Sequence, residues 1–288
     1  MTIKWFAFLG LSAYLRHAPE HPGRWRLALL AVKWAPLLTG AGTRIVRVKD
    51  GFRLNVDGAS QTGRIAYALG EYEAETADRI RASLRQGDVM IDVGANIGYF
   101  TLVGAKTVGA AGRVVAFEPV PQVREQLAEN VRLNGASNVE IRSDALSDVS
   151  GPVTFYLGPN SNTGLGSLRA LTDGQTIEVN RVRFDDWWQP IAKVALVKID
   201  VEGAELAVLR GMERCLARDR PDIVVEVTDA FLRALGDSAA GLFDFITGHG
   251  YRFFAIEEHG LREFTSTEQV THYESQFNAF CSIRPVGA

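Results

Sequence analysis

Short apolar runs recur along most of this chain at intervals that leave room for one helix between neighbours. Runs at 89–93, 113–117, 139–142, 194–199 and 222–227 predict strands, and the segments 96–108, 120–134 and 204–216 predict the helices between them. Gly109, Gly112, Asn134 and Gly135 supply helix ends. Strands separated by helices imply a parallel sheet of right-handed βαβ units. Upstream, the alternation Ile45, Val46, Val48 and Phe52, Leu54, Val56 around Asp50-Gly51 predicts a β-hairpin over 44–56. A helix over about 72–85 follows, with Glu71, Glu73 and Glu75 where the helix dipole favours acids and Gly87 as its stop. The alternation breaks over about 150–186, where strands at 153–157 and 176–184 flank a polar, glycine-rich loop and predict a hairpin insertion at the rim. Downstream come a helical stretch over 230–248, broken near Gly236, and strands at 251–256 and 278–284. No helix is legible between those last two strands, so they predict an antiparallel closing hairpin at the sheet edge.

The chain has 288 residues, 47% hydrophobic and 23% charged, enough for one large globular domain with an appendage. The pattern divides it into an N-terminal helical cap or interface segment, 1–48, and a main domain, 49–288. A net charge of −3 and a pI near 6.0 argue against a nucleic-acid partner. Cys215 and Cys281 lack metal-ligand spacing and read as core thiols of a reducing, cytoplasmic compartment. The uncharged run from Trp5 to Leu15 falls short of the roughly 20 residues a spanning helix needs. Up to Arg47, the basic residues Lys4, Arg16, Arg24, Arg26, Lys33, Arg44 and Arg47 face a single acid, Glu20. The segment reads first as a cap that packs on the domain or on a second copy in a homodimer, and second as a basic, Trp-bearing helix in a membrane interface.

The candidate chemistry lies where the predicted strands end. Asp92-Val-Gly94-Ala95-Asn96-Ile-Gly98 follows a buried strand and opens a helix that Asn96 could cap, so its backbone N–H groups can face a nucleotide-like ligand. Glu118 ends the next strand, 26 residues beyond Asp92 and close to the roughly 20 typical of an acid that holds ribose hydroxyls. After the third strand, Asp144 can accept from an adenine amino group and the Ala145 N–H can face a ring nitrogen. One acid per turn would repel a pyrophosphate but attract a ligand bearing an ammonium and a sulfonium, which favours S-adenosylmethionine over NAD. The fourth strand ends in Lys198-Ile-Asp200-Val-Glu202-Gly203, where two neighbouring carboxylates could supply a general base or hold a divalent metal. Glu226 adds another acid at the same edge.

In this order these motifs, with the Asn-x-Gly-x-Gly-Ser insertion, resemble the FkbM family of S-adenosylmethionine-dependent methyltransferases, from about Ile65 to the C-terminus. The Lys-Ile-Asp-Val-Glu-Gly hexapeptide is the most family-specific piece. The resemblance implies a Rossmann-like class I methyltransferase sheet and O-methylation of a hydroxyl on a small molecule, sugar, glycolipid or secondary metabolite. N-methylation is the nearest variant, and an NAD-dependent oxidoreductase is the alternative from another class. The site expected from motif and resemblance together comprises Asp92, Gly94, Ala95, Asn96, Gly98, Glu118, Asp144, Ala145 and Asp200 at the cofactor. Asp200 and Glu202 are the expected catalytic groups, with no resident metal. Tyr72, Glu73, Asn162, Ser167 and Glu226 are expected at the substrate, which enters over the 160–167 loop and the Tyr72 helix. His249, His259 and His272 are weaker candidates for the base, in polar contexts with no evident partner.

Overall fold

A computed structural model describes residues 3–17, 24–39, 43–57, 60–157, 166–167, 175–189 and 192–285. Its centre is an eight-stranded sheet in the order Gly260–Phe264, Arg252–Glu257, Phe277–Ser282, Asp222–Val227, Val194–Ile199, Val89–Val93, Arg113–Phe117, Val139–Arg142. The five strands from Asp222–Val227 to Val139–Arg142 are mutually parallel. Helices cover both faces, so the central strands are near-continuously apolar; all five residues of Val89–Val93 and all six of Asp222–Val227 are buried. Successive residues serve opposite faces. Ile91, Val93, Val115 and Val197 join one buried cluster, while Met90, Val114, Leu196 and Val224 join the other.

The expected antiparallel pairing of the last two strands forms, with Arg252–Glu257 against Phe277–Ser282, but a further strand lies outside it. Phe277–Ser282 inserts antiparallel between Asp222–Val227 and Arg252–Glu257, and the outermost pairing is Arg252–Glu257 with Gly260–Phe264. The sequence reading missed that edge strand and the short helix Thr267–Thr271. With two charges in five residues and one face in solvent, the strand lacks an apolar run.

The glycine-turn helix begins at Tyr99 rather than at 96. Asn96 does not cap it. It adopts a left-handed conformation with φ 51°, and its side-chain oxygen accepts from the Ile97 N–H at 2.8 Å. The expected helix over 204–216 is two, Glu205–Arg210 and Glu213–Asp219, separated at Gly211-Met212. The insertion forms its own sheet, in which Gly151–Leu157 pairs with Thr176–Val182 and with Gly166–Ser167. Ala145–Leu146 pairs parallel to Thr176–Val182 and ties this sheet to the main domain.

The helix Gln61–Leu69 was also missed; Ser60 caps it by accepting from the Gly63 N–H at 3.0 Å. The N-terminal helices Ile3–His17 and Arg24–Thr39 pack on it, burying Phe8, Leu15 and Ala31 with Ala68.

Candidate functional site

The chain turns outward from Val89–Val93 to Arg113–Phe117 and Val139–Arg142, then crosses back to Val194–Ile199 and Asp222–Val227 on the other side. The crevice at such a reversal, beyond the carboxyl ends of the strands, is where open α/β sheets bind ligands. A cavity lies there. Its floor is set by the contact between two turns. The Asp200 N–H donates to the Val93 carbonyl at 3.0 Å, and the Gly94 N–H to the Phe117 carbonyl at 3.0 Å. Gly94 has φ +77°, and a Cβ on it would lie 1.9 Å from the Asp200 carbonyl oxygen, so only glycine fits.

Six carboxylates line the cavity: Glu73, Glu118, Asp144, Asp200, Glu202 and Glu226. Among the described lining residues there is no Lys, Arg or His. Glu118 is 6% exposed; one carboxylate oxygen accepts from the Asn96 N–H and the other from the Val120 N–H, each at 2.9 Å. Burial pushes its pKa up to about 7, against the opposing effect of those N–H groups. Asp144 is held by Arg142 and by Asn180, each at 3.0 Å.

Asp200 accepts from the Lys198 ammonium at 3.0 Å. Lys198 is buried and lies 5.0 Å from the Phe100 ring centroid. Burial opposes its charge, but Asp200, Asp92 and Glu73 around it more than compensate and raise its pKa above the ordinary value. Glu226 is 8% exposed and accepts from the Gln276 amide at 2.6 Å. Burial first, then the charges of Asp200 and Glu202, push its pKa up to about 9, so it carries a proton at neutral pH. Glu73, raised by burial and by Asp200, accepts from Asn278 at 2.7 Å, and neighbouring Tyr72 also lines the cavity.

Asp92, Ala95 and Gly98 lie off the cavity. Asp92 is wholly buried beneath the floor, with one oxygen accepting from the Thr101 hydroxyl at 2.6 Å. Its other oxygen has no hydrogen-bond partner, and burial raises its pKa despite Lys198. Through Thr101, Asp92 ties the strand Val89–Val93 to the helix Tyr99–Val108. Ala95 is buried beside Ala116 and Leu127, and a Cβ on Gly98 would meet Leu127 at 2.5 Å, which accounts for that glycine by packing. Ala145 lines the cavity. Asn162 lies outside the described residues, as does the side chain of Ser167, whose backbone pairs with Tyr156. His249, His259 and His272 do not line the cavity.

Several contributors escaped the sequence reading. Ser60 and Thr62, at the start of a helix that was not expected, line the cavity, as does Gln276. Glu205 is 1% exposed and braces the Asp200–Gly203 turn from below, accepting from the Val201 N–H at 3.2 Å and the Gly203 N–H at 3.0 Å. Its signal was its position three residues after Glu202, which would place it at a helix start.

The cleft at the reversal point of this doubly wound sheet is thus lined by acids. Residues 92–253, more than half of the chain, match the family described as the methyltransferase FkbM domain, and the chain belongs to that family. It is similar to the hexuronic acid methyltransferase AglP of Haloferax volcanii, with 30% identity over 64% of this chain and 74% of that protein. It is likewise similar to the 31-O-demethyl-FK506 methyltransferase FkbM of Streptomyces tacrolimicus, with 34% identity over 61% of this chain and 76% of that protein. The AMB antimetabolite synthetase AmbE of Pseudomonas aeruginosa matches 62% of this chain at 31% identity, over only 10% of its own length. The solved structure of Methyltransferase FkbM from Methylobacillus flagellatus KT aligns with 96% of this chain and 58% of its own, at 17% identity and TM-score 0.43.

Proposed function

We propose that this protein transfers the methyl group of S-adenosylmethionine to a hydroxyl oxygen of a small-molecule or sugar acceptor. The observation that carries the reading is the concentration of carboxylates, with no Lys, Arg or His among the described lining residues, at the reversal point of the sheet. The bound donor would supply an electrophilic methyl group on a sulfonium. The residues present suit it: Glu118, fixed by two backbone N–H groups, has lone pairs left for a ribose diol. Gly94 lets its turn meet the Asp200 turn at the floor of the cleft, and Asp144 lines the cavity where the adenine would lie. A pyrophosphate would meet a cluster of carboxylates here, with Glu226 held neutral, which disfavours a dinucleotide.

On the acceptor side, Lys198 holds one oxygen of Asp200 and leaves the other for an incoming hydroxyl. Asp200 takes the hydroxyl proton as the oxygen attacks, a role that typically contributes 10²–10⁴-fold. Protonated Glu226, fixed by Gln276, can donate to a second acceptor oxygen and orient it. Tyr72 and Glu73 wall the same side, and the alignment so imposed supplies much of the rate. A relative named for a 31-O-demethyl substrate supports oxygen as the target, and one named for a hexuronic acid supports a sugar acceptor.

The test is transfer of label from methyl-labelled S-adenosylmethionine to a panel of hydroxyl-bearing sugars and small alcohols. Asp200→Asn should lower turnover by about 10² or more while S-adenosylhomocysteine affinity stays within a few-fold. Unchanged turnover removes Asp200 from the reaction, and transfer only to amines overturns the choice of oxygen.

A further inference from the structure

The first 48 residues carry seven basic side chains and one acid, a net charge of +6 against −9 for the rest of the chain. They also hold three of the chain's five tryptophans, Trp5, Trp25 and Trp34. Nothing in the proposed chemistry uses them. Their two helices pack on the helix Gln61–Leu69. Phe8 stacks on Tyr67 with centroids 5.3 Å apart, the Ser12 hydroxyl donates to the Ala68 carbonyl at 2.7 Å, and Arg16 donates to the Tyr67 carbonyl at 2.6 Å. In Arg24–Thr39, Leu27, Ala28, Ala31 and Val32 face this contact.

The opposite face of that helix is exposed, and its composition is unusual. Arg26, Leu29, Leu30 and Lys33 fall at i, i+3, i+4 and i+7, one stripe of an α-helix. Leu29 is 60% exposed and Leu30 37% exposed, while the neighbouring helix exposes Tyr14 at 44%. Two leucines bracketed by two cations form the pattern of a helix lying in a bilayer interface, with its apolar residues at the acyl boundary and its basic stems reaching anionic headgroups. No helix among the described residues is long and apolar enough to cross a membrane. The geometry therefore points to surface contact.

We propose that this helical pair docks the protein on an anionic lipid surface through the Arg26–Leu29–Leu30–Lys33 stripe. The helix pair rests on the C-terminal half of Gln61–Leu69, whose N-terminal residues line the cavity. Nine residues at about 1.5 Å each set the cavity roughly 14 Å along that helix from the docked end. The proposal does not depend on the methyl-transfer reading.

The test is sedimentation of the full chain with vesicles of phosphatidylcholine alone or with about one-third phosphatidylglycerol. Binding is expected to the anionic vesicles only, weakening as salt rises. Arg26→Glu with Lys33→Glu, or Leu29→Glu with Leu30→Glu, should each lower the partition coefficient by roughly tenfold or more. S-adenosylhomocysteine affinity and thermal stability should stay at wild-type values in both variants. Absence of binding, equal binding to neutral vesicles, or variants that bind like the wild type would overturn the proposal. So would light scattering showing a dimer that Leu29→Glu with Leu30→Glu dissociates, which would assign the stripe to a second copy of the chain.

Discussion

Replacing Glu226 with Gln should stabilise the ligand-free protein, and the gain should grow with pH. Glu226 is 8% exposed, and burial followed by the charges of Asp200 and Glu202 moves its pKa from 4.5 to about 9. The folded state therefore holds this proton more tightly than the unfolded chain does. For a carboxyl raised in this way, stability is fully present below pH 4.5 and is lost as pH rises toward 9. At pH 7 the gap from 4.5 corresponds to about 3 kcal/mol, at 1.36 kcal/mol per pH unit. A glutamine has no proton to lose, and its amide oxygen can still accept from Gln276, which now donates to Glu226 at 2.6 Å. Urea unfolding at pH 5.5, 7 and 8.5 should show the variant ahead of the wild type by an amount that rises by about 1 kcal/mol per pH unit. A pH-independent difference, or a variant less stable than the wild type at pH 8.5, would refute the reasoning.

Two further substitutions probe the other side of the cleft. Gly94→Ala sets a Cβ 1.9 Å from the Asp200 carbonyl at a residue with φ +77°, whereas Gly87→Ala, at φ +87°, meets nothing within 4 Å. Calorimetric melting should show a loss of roughly 6 °C or more for the first and a smaller loss for the second, which carries only the left-handed strain of about 1–2 kcal/mol; equal losses would remove the backbone contact as the cause. Glu118→Gln presents an NH₂ group to an amide N–H and loses a charged acceptor, so S-adenosylhomocysteine affinity should fall about 10–100-fold. Wild-type affinity should weaken as pH falls through about 7, where Glu118 takes up its proton.

The parallel core was legible because strands buried on both faces are continuous apolar runs and the glycines between them mark turns. The same logic located Gly94, Glu118, Asp144 and Asp200, since a residue just past the carboxyl end of such a strand reaches the cleft wherever the chain next turns, and Glu226 reaches it from the penultimate position of its strand. Asp92 shows where that logic stops. It sits two residues before Gly94, within the strand, and the pleat turns its side chain into the protein toward Thr101. Spacing alone does not separate a lining acid from a supporting one. Glu205 was overlooked for the converse reason, because its carboxylate serves backbone N–H groups that exist only once the Asp200–Gly203 turn has formed. The helix Gln61–Leu69 carries a glycine at its third position and a short apolar face, so its signal is weak until Ser60 is seen to cap it. The edge strand Gly260–Phe264 is specified by its pairing with Arg252–Glu257 more than by its own residues.

The central claim is that a ring of acids at the sheet's reversal point selects a cationic methyl donor. Titration calorimetry of the wild-type chain with S-adenosylmethionine, S-adenosylhomocysteine and NAD tests it most directly. The account predicts one-to-one uptake of the first two, with affinity weakening below about pH 7 as Glu118 protonates, and no uptake of NAD. Heat evolved with NAD, or none with either adenosyl compound, would contradict it.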